Sequence, residues 1–242
     1  MRLAQARVGD TPRLVAPLAG NPERLVDLTA VEALRLAKLG EGASEVLARA
    51  LVPPSLAGVL AAGQRGVVRA RQALAYAEKW ARRSGLPEEL TVPPEGLERA
   101  LPEHLRTFEG RRLDPSALLG PRQSLPGRPQ ATLALVGTGT PAFPGLRLVL
   151  LGEGRLRLSP WIAFEGGGPL QLAVGGHRRR VNPEAWEGLE TPPLEAGEHL
   201  LLPPPKLRPW PSLPKGAPID LRWGEDRLEG LLARSLDHPT LQ

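Results

Sequence analysis

Apolar positions repeat with one kind of period in the first third of the chain and with another after residue 130. Residues 2–8 and 13–18 are short apolar runs divided by Gly9-Asp10-Thr11-Pro12, a pattern that predicts an N-terminal hairpin. From Asp27-Leu28-Thr29 the spacing turns helical. Thr29 is placed to cap, Glu32 completes a capping box three residues on, and Val31, Leu34 and Ala37 follow until Gly40. A second helix over 43–51 ends at Pro53-Pro54, and a short one follows. Residues 64–83 then predict a longer helix with Val67, Val68, Ala70, Leu74, Ala75 and Ala77 toward a core. Residues 84–128, rich in Pro, Gly and charge, read as a connecting region with a short helix near 95–105.

Beyond it, apolar runs at 131–136, 146–151, 155–158, 169–174, 199–202, 219–223 and 228–232 are separated by Gly and Pro. Such spacing predicts a mostly antiparallel β region. The expected fold class is α+β: an N-terminal hairpin and helical region over 1–75, then a β-rich domain over 76–242.

Composition narrows the chemistry. There is no Cys, so disulfides, thiolate catalysis and cysteine-bound zinc are excluded. The 28 Pro, single Met and preference for Arg over Lys look heat-adapted. The 31 basic and 26 acidic residues are interleaved, and three Phe with one Tyr make a base-stacking surface hard to build, so a nucleic-acid partner is not expected. The one dense basic run, Arg178-Arg179-Arg180 after His177, reads as a solvated strand end or turn. No stretch approaches the roughly 18 apolar residues of a spanning helix, and Met1 to Arg7 lacks a signal-peptide core, so the expectation is a cytoplasmic protein without membrane association.

Familiar catalytic signatures are missing. No G-x-S-x-G elbow occurs, and Gly166-Gly167-Gly168-Pro169 lacks the G-K-[ST] ending of a phosphate loop and reads as a turn. His104, His177, His199 and His238 are scattered without ligand spacing and read as ordinary loop or strand-end residues. Glu88-Glu89 and Glu225-Asp226 read as solvated surface.

Several segments stand out in order along the chain: Arg2-Leu3-Ala4, Leu25-Val26-Asp27-Leu28-Thr29, Ala50-Leu51-Val52-Pro53-Pro54, Tyr76 to Arg82, Pro115 to Pro121, and Gln130 to Gly137. Leu194-Glu195-Ala196-Gly197-Glu198, Leu213-Pro214-Lys215-Gly216 and Leu228-Glu229-Gly230 complete the series. Taken in this order, they resemble the fumarylacetoacetate hydrolase superfamily. The 131–136 strand is most similar to the N-terminal half of the homoprotocatechuate-pathway isomerase/decarboxylase, the half that lacks metal carboxylates. The resemblance implies a family that uses a divalent metal, usually Mg²⁺, to polarise 2-oxo or 2-hydroxy acids.

The departures carry the functional expectation. The family's two metal-binding glutamates look like Gln130 and Thr132, and its His and Glu proton-transfer pair looks like Lys79 and Arg82. No metal or other cofactor is therefore expected. The family's substrate-binding T-G-T-P turn is replaced by Leu201 to Pro205, while Thr138-Gly139-Thr140-Pro141 occurs out of order. Lys79, Glu78 and Arg82 are the remaining catalytic candidates, Lys79 as a base or Schiff-base amine if burial lowers its pKa. Three readings follow. One is a degenerate partner subunit of an isomerase/decarboxylase in aromatic catabolism, as a homodimer or a hetero-oligomer with an active family member. Another is an anion- or nucleic-acid-binding module using Lys79, Arg82, Arg83 and Arg178 to Arg180. The third is an active isomerase or hydrolase with a relocated site.

Overall fold

A computed structural model describes residues 1–98, 100–114, 130–140, 144–152, 155–164, 168–206, 217–224 and 226–232. The segments Pro115 to Pro121 and Leu213 to Gly216, Gly166 and Gly167 of the glycine turn, Pro141, Glu225 and His238 lie outside these residues. The expected α+β class is what the chain adopts, with helices in the N-terminal region and a mostly antiparallel β-rich part after it.

The N-terminal hairpin is longer than its apolar runs. Strand β1 (Arg2–Val8) pairs with β2 (Thr11–Leu18) down to Val8 opposite Thr11, so only Gly9 and Asp10 form the turn. Gly9 takes φ 59°, a conformation that a two-residue hairpin turn requires and glycine adopts without strain. A third strand, β3 (Asn21–Asp27), continues the meander where the sequence showed only an approach to a helix.

Four helices follow: α1 (Leu28–Lys38), α2 (Ser44–Leu51), α3 (Leu56–Ala61) and α4 (Gly63–Ser84). The cap of α1 differs from the sequence expectation. Asp27 is the N-cap, its Oδ1 accepting from the Thr29 and Ala30 N–H groups at 3.0 Å. Thr29 instead donates its hydroxyl to the Val52 carbonyl at 2.9 Å, and Glu32 pairs with Arg35, so no capping box forms. Asp27 wins because its carboxylate satisfies two orphan amides at once and also holds Arg13.

The connecting region carries short strands rather than the expected helix near 95–105. These are β4 (Thr91–Val92), β5 (Leu97–Glu98), β6 (Leu105–Thr107) and β7 (Arg112–Leu113). Each is only two or three residues long because Pro87, Pro93, Pro94 and Pro102 interrupt the ladder. The β-rich part continues with β8 (Gln130–Val136), β9 (Gly145–Gly152), β10 (Arg155–Ala163), β11 (Leu170–Val174), β12 (His177–Val181), β13 (His199–Leu201), β14 (Pro218–Trp223) and β15 (Asp226–Leu232).

Eleven of these strands form one sheet in the order β4-β3-β2-β1-β10-β9-β8-β13-β6-β7, with β5 on β1. Arg2 and Leu3 pair with Ala163 and Ile162, which joins the N-terminal meander to the later strands. Residues 75 and 76, between which the sequence reading divides the chain, both lie in α4. A four-stranded sheet, β12-β11-β14-β15, packs on one face of β8 and β9, where Leu133, Leu148 and Leu150 meet Leu172, Leu221 and Trp223. Among the described residues no helix is long and apolar enough to cross a membrane.

Asp27→Ala is expected to lower stability by about 2 kcal/mol, because it removes a cap and leaves Arg13 without its carboxylate. Thr29→Ala is expected to lower it by about 1 kcal/mol, the worth of one buried hydrogen bond. Urea denaturation of both variants checks the order; a larger loss for Thr29→Ala would return the capping role to Thr29.

Candidate functional site

Strands β8 and β9 decide what the interior can hold. Directly opposed residues project to the same side of an antiparallel ladder, so the register puts Gln130, Thr132 and Ala134 on one face with Leu151, Val149 and Arg147. Leu156 and Leu158 of β10 and Leu201 and His199 of β13 extend that face. Most of it is closed by a buried aliphatic cluster in which Leu105, Ala134, Val149, Leu151, Leu158 and Leu201 take part.

Gln130 and Thr132, the positions that resemble the metal-binding glutamates, both lie on this face. Thr132 is fully buried, and its hydroxyl donates to the Leu202 carbonyl at 2.9 Å; Gln130 is half-buried. These residues do not fit a divalent cation. A hard cation needs several anionic oxygens, whereas this face offers one amide side chain and one hydroxyl already bonded to backbone. Among the described residues no group of three or more His, Cys, Asp or Glu side chains is arranged to hold a metal ion.

Lys79, Glu78 and Arg82 stand elsewhere, on α4, which packs on α1, α3 and β2. Lys79 and Arg82 are exposed, Glu78 is half-buried, and Arg82 donates Nε to the Glu78 carbonyl at 3.3 Å. The desolvation that a lysine base requires is therefore missing around the exposed Lys79 amine. Arg83 is exposed on the same helix, whereas Arg178 to Arg180 belong to β12 in the small sheet, so the basic groups considered together in the sequence lie in separate layers.

Two residues that the sequence did not single out as a pair meet inside the large sheet. Arg147 is 0% exposed and His199 2% exposed, although both carry titratable or charged groups. Pro160 interrupts β10, and the register shifts between Leu158 and Ile162. At this irregularity the Ser159 carbonyl accepts from Arg147 Nε at 2.6 Å. Arg147 Nη1 lies 3.3 Å from His199 Nε2, and His199 Nδ1 lies 3.0 Å from the Gly197 carbonyl. A guanidinium only donates and a carbonyl only accepts, which fixes the imidazole as the Nδ1–H tautomer with its lone pair toward Arg147. Burial first, and the Arg147 charge second, push the His199 pKa down to about 3, against a smaller opposing pull from the Gly197 carbonyl.

The pair faces a cleft of about 820 Å³ whose other walls include Gln5, Arg7, Glu98 and the α3 residues Leu56 and Leu60. Gln5 Nε2 donates to Glu98 at 2.6 Å and Gln5 Oε1 accepts from the Leu56 N–H at 3.2 Å, so one glutamine ties β1, β5 and α3 together. Glu98 is also paired with Arg7, and the hydrogen bonds from Gln5 and Arg7 hold its carboxyl below its ordinary range. Ala196 and Gly197 line the cleft, and a Cβ on Gly139 would touch Ala196, so the out-of-order Thr138-Gly139-Thr140 string sits against the rim. Gln130, Thr132, Lys79 and Arg82 do not line it.

This architecture is similar in fold to that of solved hydrolase structures, at low sequence identity. The particular likeness is to maleylpyruvate hydrolase from Sphingobium sp. SYK-6, solved with manganese(II) and pyruvate: TM-score 0.53, 14% identity, covering 95% of this chain and 98% of that one. A second structure of that hydrolase gives a TM-score of 0.52 at 15% identity, with 95% of this chain and 98% of that one covered. Fumarylacetoacetate hydrolase from Exiguobacterium antarcticum gives 0.49 at 13% identity, covering 97% and 99%. No protein-family model and no curated protein sequence matches the chain.

The His199 environment sets an acid limit. Its folded pKa lies below its ordinary 6.5, so between about 6.5 and 3 the unfolded chain binds the extra proton. The stabilisation is full above 6.5 and is lost as pH falls toward 3, by up to about 1.4 kcal/mol per pH unit. His199→Gln, which keeps a donor and an acceptor but does not titrate, is expected to have a shallower loss of stability below pH 6.5. Parallel acid limbs for the two proteins in urea titrations at several pH values would contradict this.

Proposed function

We propose that the chain is a non-catalytic relative of fumarylacetoacetate hydrolase-type enzymes, acting as the partner subunit of an active isomerase/decarboxylase on 2-oxo or 2-hydroxy dicarboxylic acids. One observation carries this reading. The face of β8 on which the resemblance expects two metal carboxylates holds Gln130 and Thr132, and Thr132 is buried with its hydroxyl on the Leu202 carbonyl. The neighbouring positions, Ala134, Val149, Leu151 and Leu201, are packed aliphatics that exclude both water and ions. The proton-transfer pair is likewise replaced, with Lys79 and Arg82 exposed on α4. A chain of this build retains the shape by which such subunits assemble while lacking the charges by which they work.

Isothermal titration of the purified chain with Mg²⁺ or Mn²⁺ is expected to show no binding, and the chain alone is expected not to turn over oxaloacetate or 2-hydroxyhepta-2,4-dienedioate. Metal-dependent turnover by the isolated chain would overturn the proposal.

A further inference from the structure

The four-stranded sheet buries one face and presents the other to solvent. Leu170, Leu172, Val174, Val181, Ile219, Leu221, Trp223 and Leu228 point into the core, so the alternate positions point out. The register aligns those outward positions across the strands. One row runs Arg180, Gln171, Arg222, Arg227, and the next runs Arg178, Ala173, Asp220. Arg178, Arg180, Arg222 and Arg227 are all exposed, and Asp220 is the single acidic side chain described in these rows.

Asp220 organises its side of the face. It accepts from Arg222 Nε at 3.0 Å and from Arg227 Nε and Nη2 at 2.9 and 3.2 Å. Burial pulls its carboxyl up, and the hydrogen bonds and charges of Arg227 and Arg222 more than reverse this, leaving it below its ordinary value. The result is a groove of about 340 Å³ with Gln171 and Ala173 on β11, Arg178 and Arg180 on β12, and Arg222 on β14. Strands lie about 4.8 Å apart, so the β12 and β14 arginines stand about 10 Å from each other across a floor of shorter side chains.

We propose that this groove binds the sugar-phosphate backbone of duplex nucleic acid without reading sequence. Guanidinium groups match phosphate oxygens in a bidentate fork. Each of these arginines is exposed and screened, so a small free anion gains little from any of them. A polyanion gains more, because engaging several linked phosphates releases condensed counterions. Among the described residues the face shows no aromatic side chain on which an unpaired base would stack. Its described apolar side chains are only Ala173 and Pro218, too small to anchor in a bilayer, and its like charges oppose pairing with a second copy of itself. The inference is independent of whether the chain catalyses a reaction.

The test is fluorescence anisotropy of a labelled random-sequence DNA duplex against the full chain over a range of salt. Three phosphate contacts, from Arg178, Arg180 and Arg222, predict a log–log salt slope of about −2.7, so a fourfold rise in salt weakens binding about 40-fold. Arg178→Gln/Arg180→Gln is expected to cut the slope to about −0.9, while Arg65→Gln/Arg69→Gln, the same charge change on exposed α4 positions, leaves it as it was. Absence of duplex binding at low salt overturns the proposal. So does equal weakening by the two double variants, or tighter binding of phosphatidylserine vesicles, tripolyphosphate or poly-glutamate than of the duplex.

Discussion

Strands β8 and β9 lie between two layers of side chains, so any charge or hydroxyl on either face has to be satisfied from within the protein. Arg147 is the hardest case, a permanent cation with no solvent exposure. Its Nε uses the Ser159 carbonyl at the β10 irregularity and its Nη1 uses the His199 lone pair, which in turn requires a neutral imidazole whose proton goes to Gly197. The turn bearing Gly197 is then pinned to the sheet: Gly137 N donates to the Glu198 carbonyl at 2.8 Å and Gly197 N to the Gly137 carbonyl at 2.9 Å. A Cβ at Gly137 would collide with the Glu195 carbonyl, so the approach depends on glycine there. One buried guanidinium thereby fixes a tautomer, a turn and the floor of the cleft.

The helices and the central strands were legible because their burial follows a simple period. In α4, Val67, Ala70, Leu74 and Ala77 form one buried stripe, and β8 and β9 read as almost unbroken apolar runs because both faces are covered. What escaped was decided by contacts far away in sequence. Strands β4 to β7 are too short and proline-broken to carry a pattern, and only their pairing with β1, β3 and β13 makes them strands. The α1 cap moved from Thr29 to Asp27 because Thr29 meets Val52, twenty-three residues on.

The candidate site was legible only in part. Gln130 and Thr132 lie on one face of β8, and around Thr132 that face is aliphatic, with Arg147 and His199 further along it beside Ala134 and Val136. Arg147 and His199 were hidden by their surroundings. An arginine within Leu146 to Leu151 passes for one polar tooth of an alternating strand, and a histidine before three leucines passes for a strand end. The readable signal was the mismatch itself, a charged residue in the middle of a run too apolar to have a solvent side.

Interior and surface therefore divide the chain's polar capacity in opposite ways. Inside, desolvation penalises every additional charge, and Arg147 persists because two neutral acceptors and the turn behind them are committed to it. Outside, on the small sheet, charges stay in water, and adding arginines there has little effect on folding as long as the inward positions stay apolar. The register of β11, β12 and β14 separates these roles residue by residue: Leu172 and Leu221 stabilise the core while Gln171 and Arg222, their immediate neighbours on the same strands, face solvent in one row with Arg180. A fold whose described interior around Thr132 is aliphatic can still present an ordered set of cations on its surface, because alternation along a strand lets one segment serve both faces without conflict.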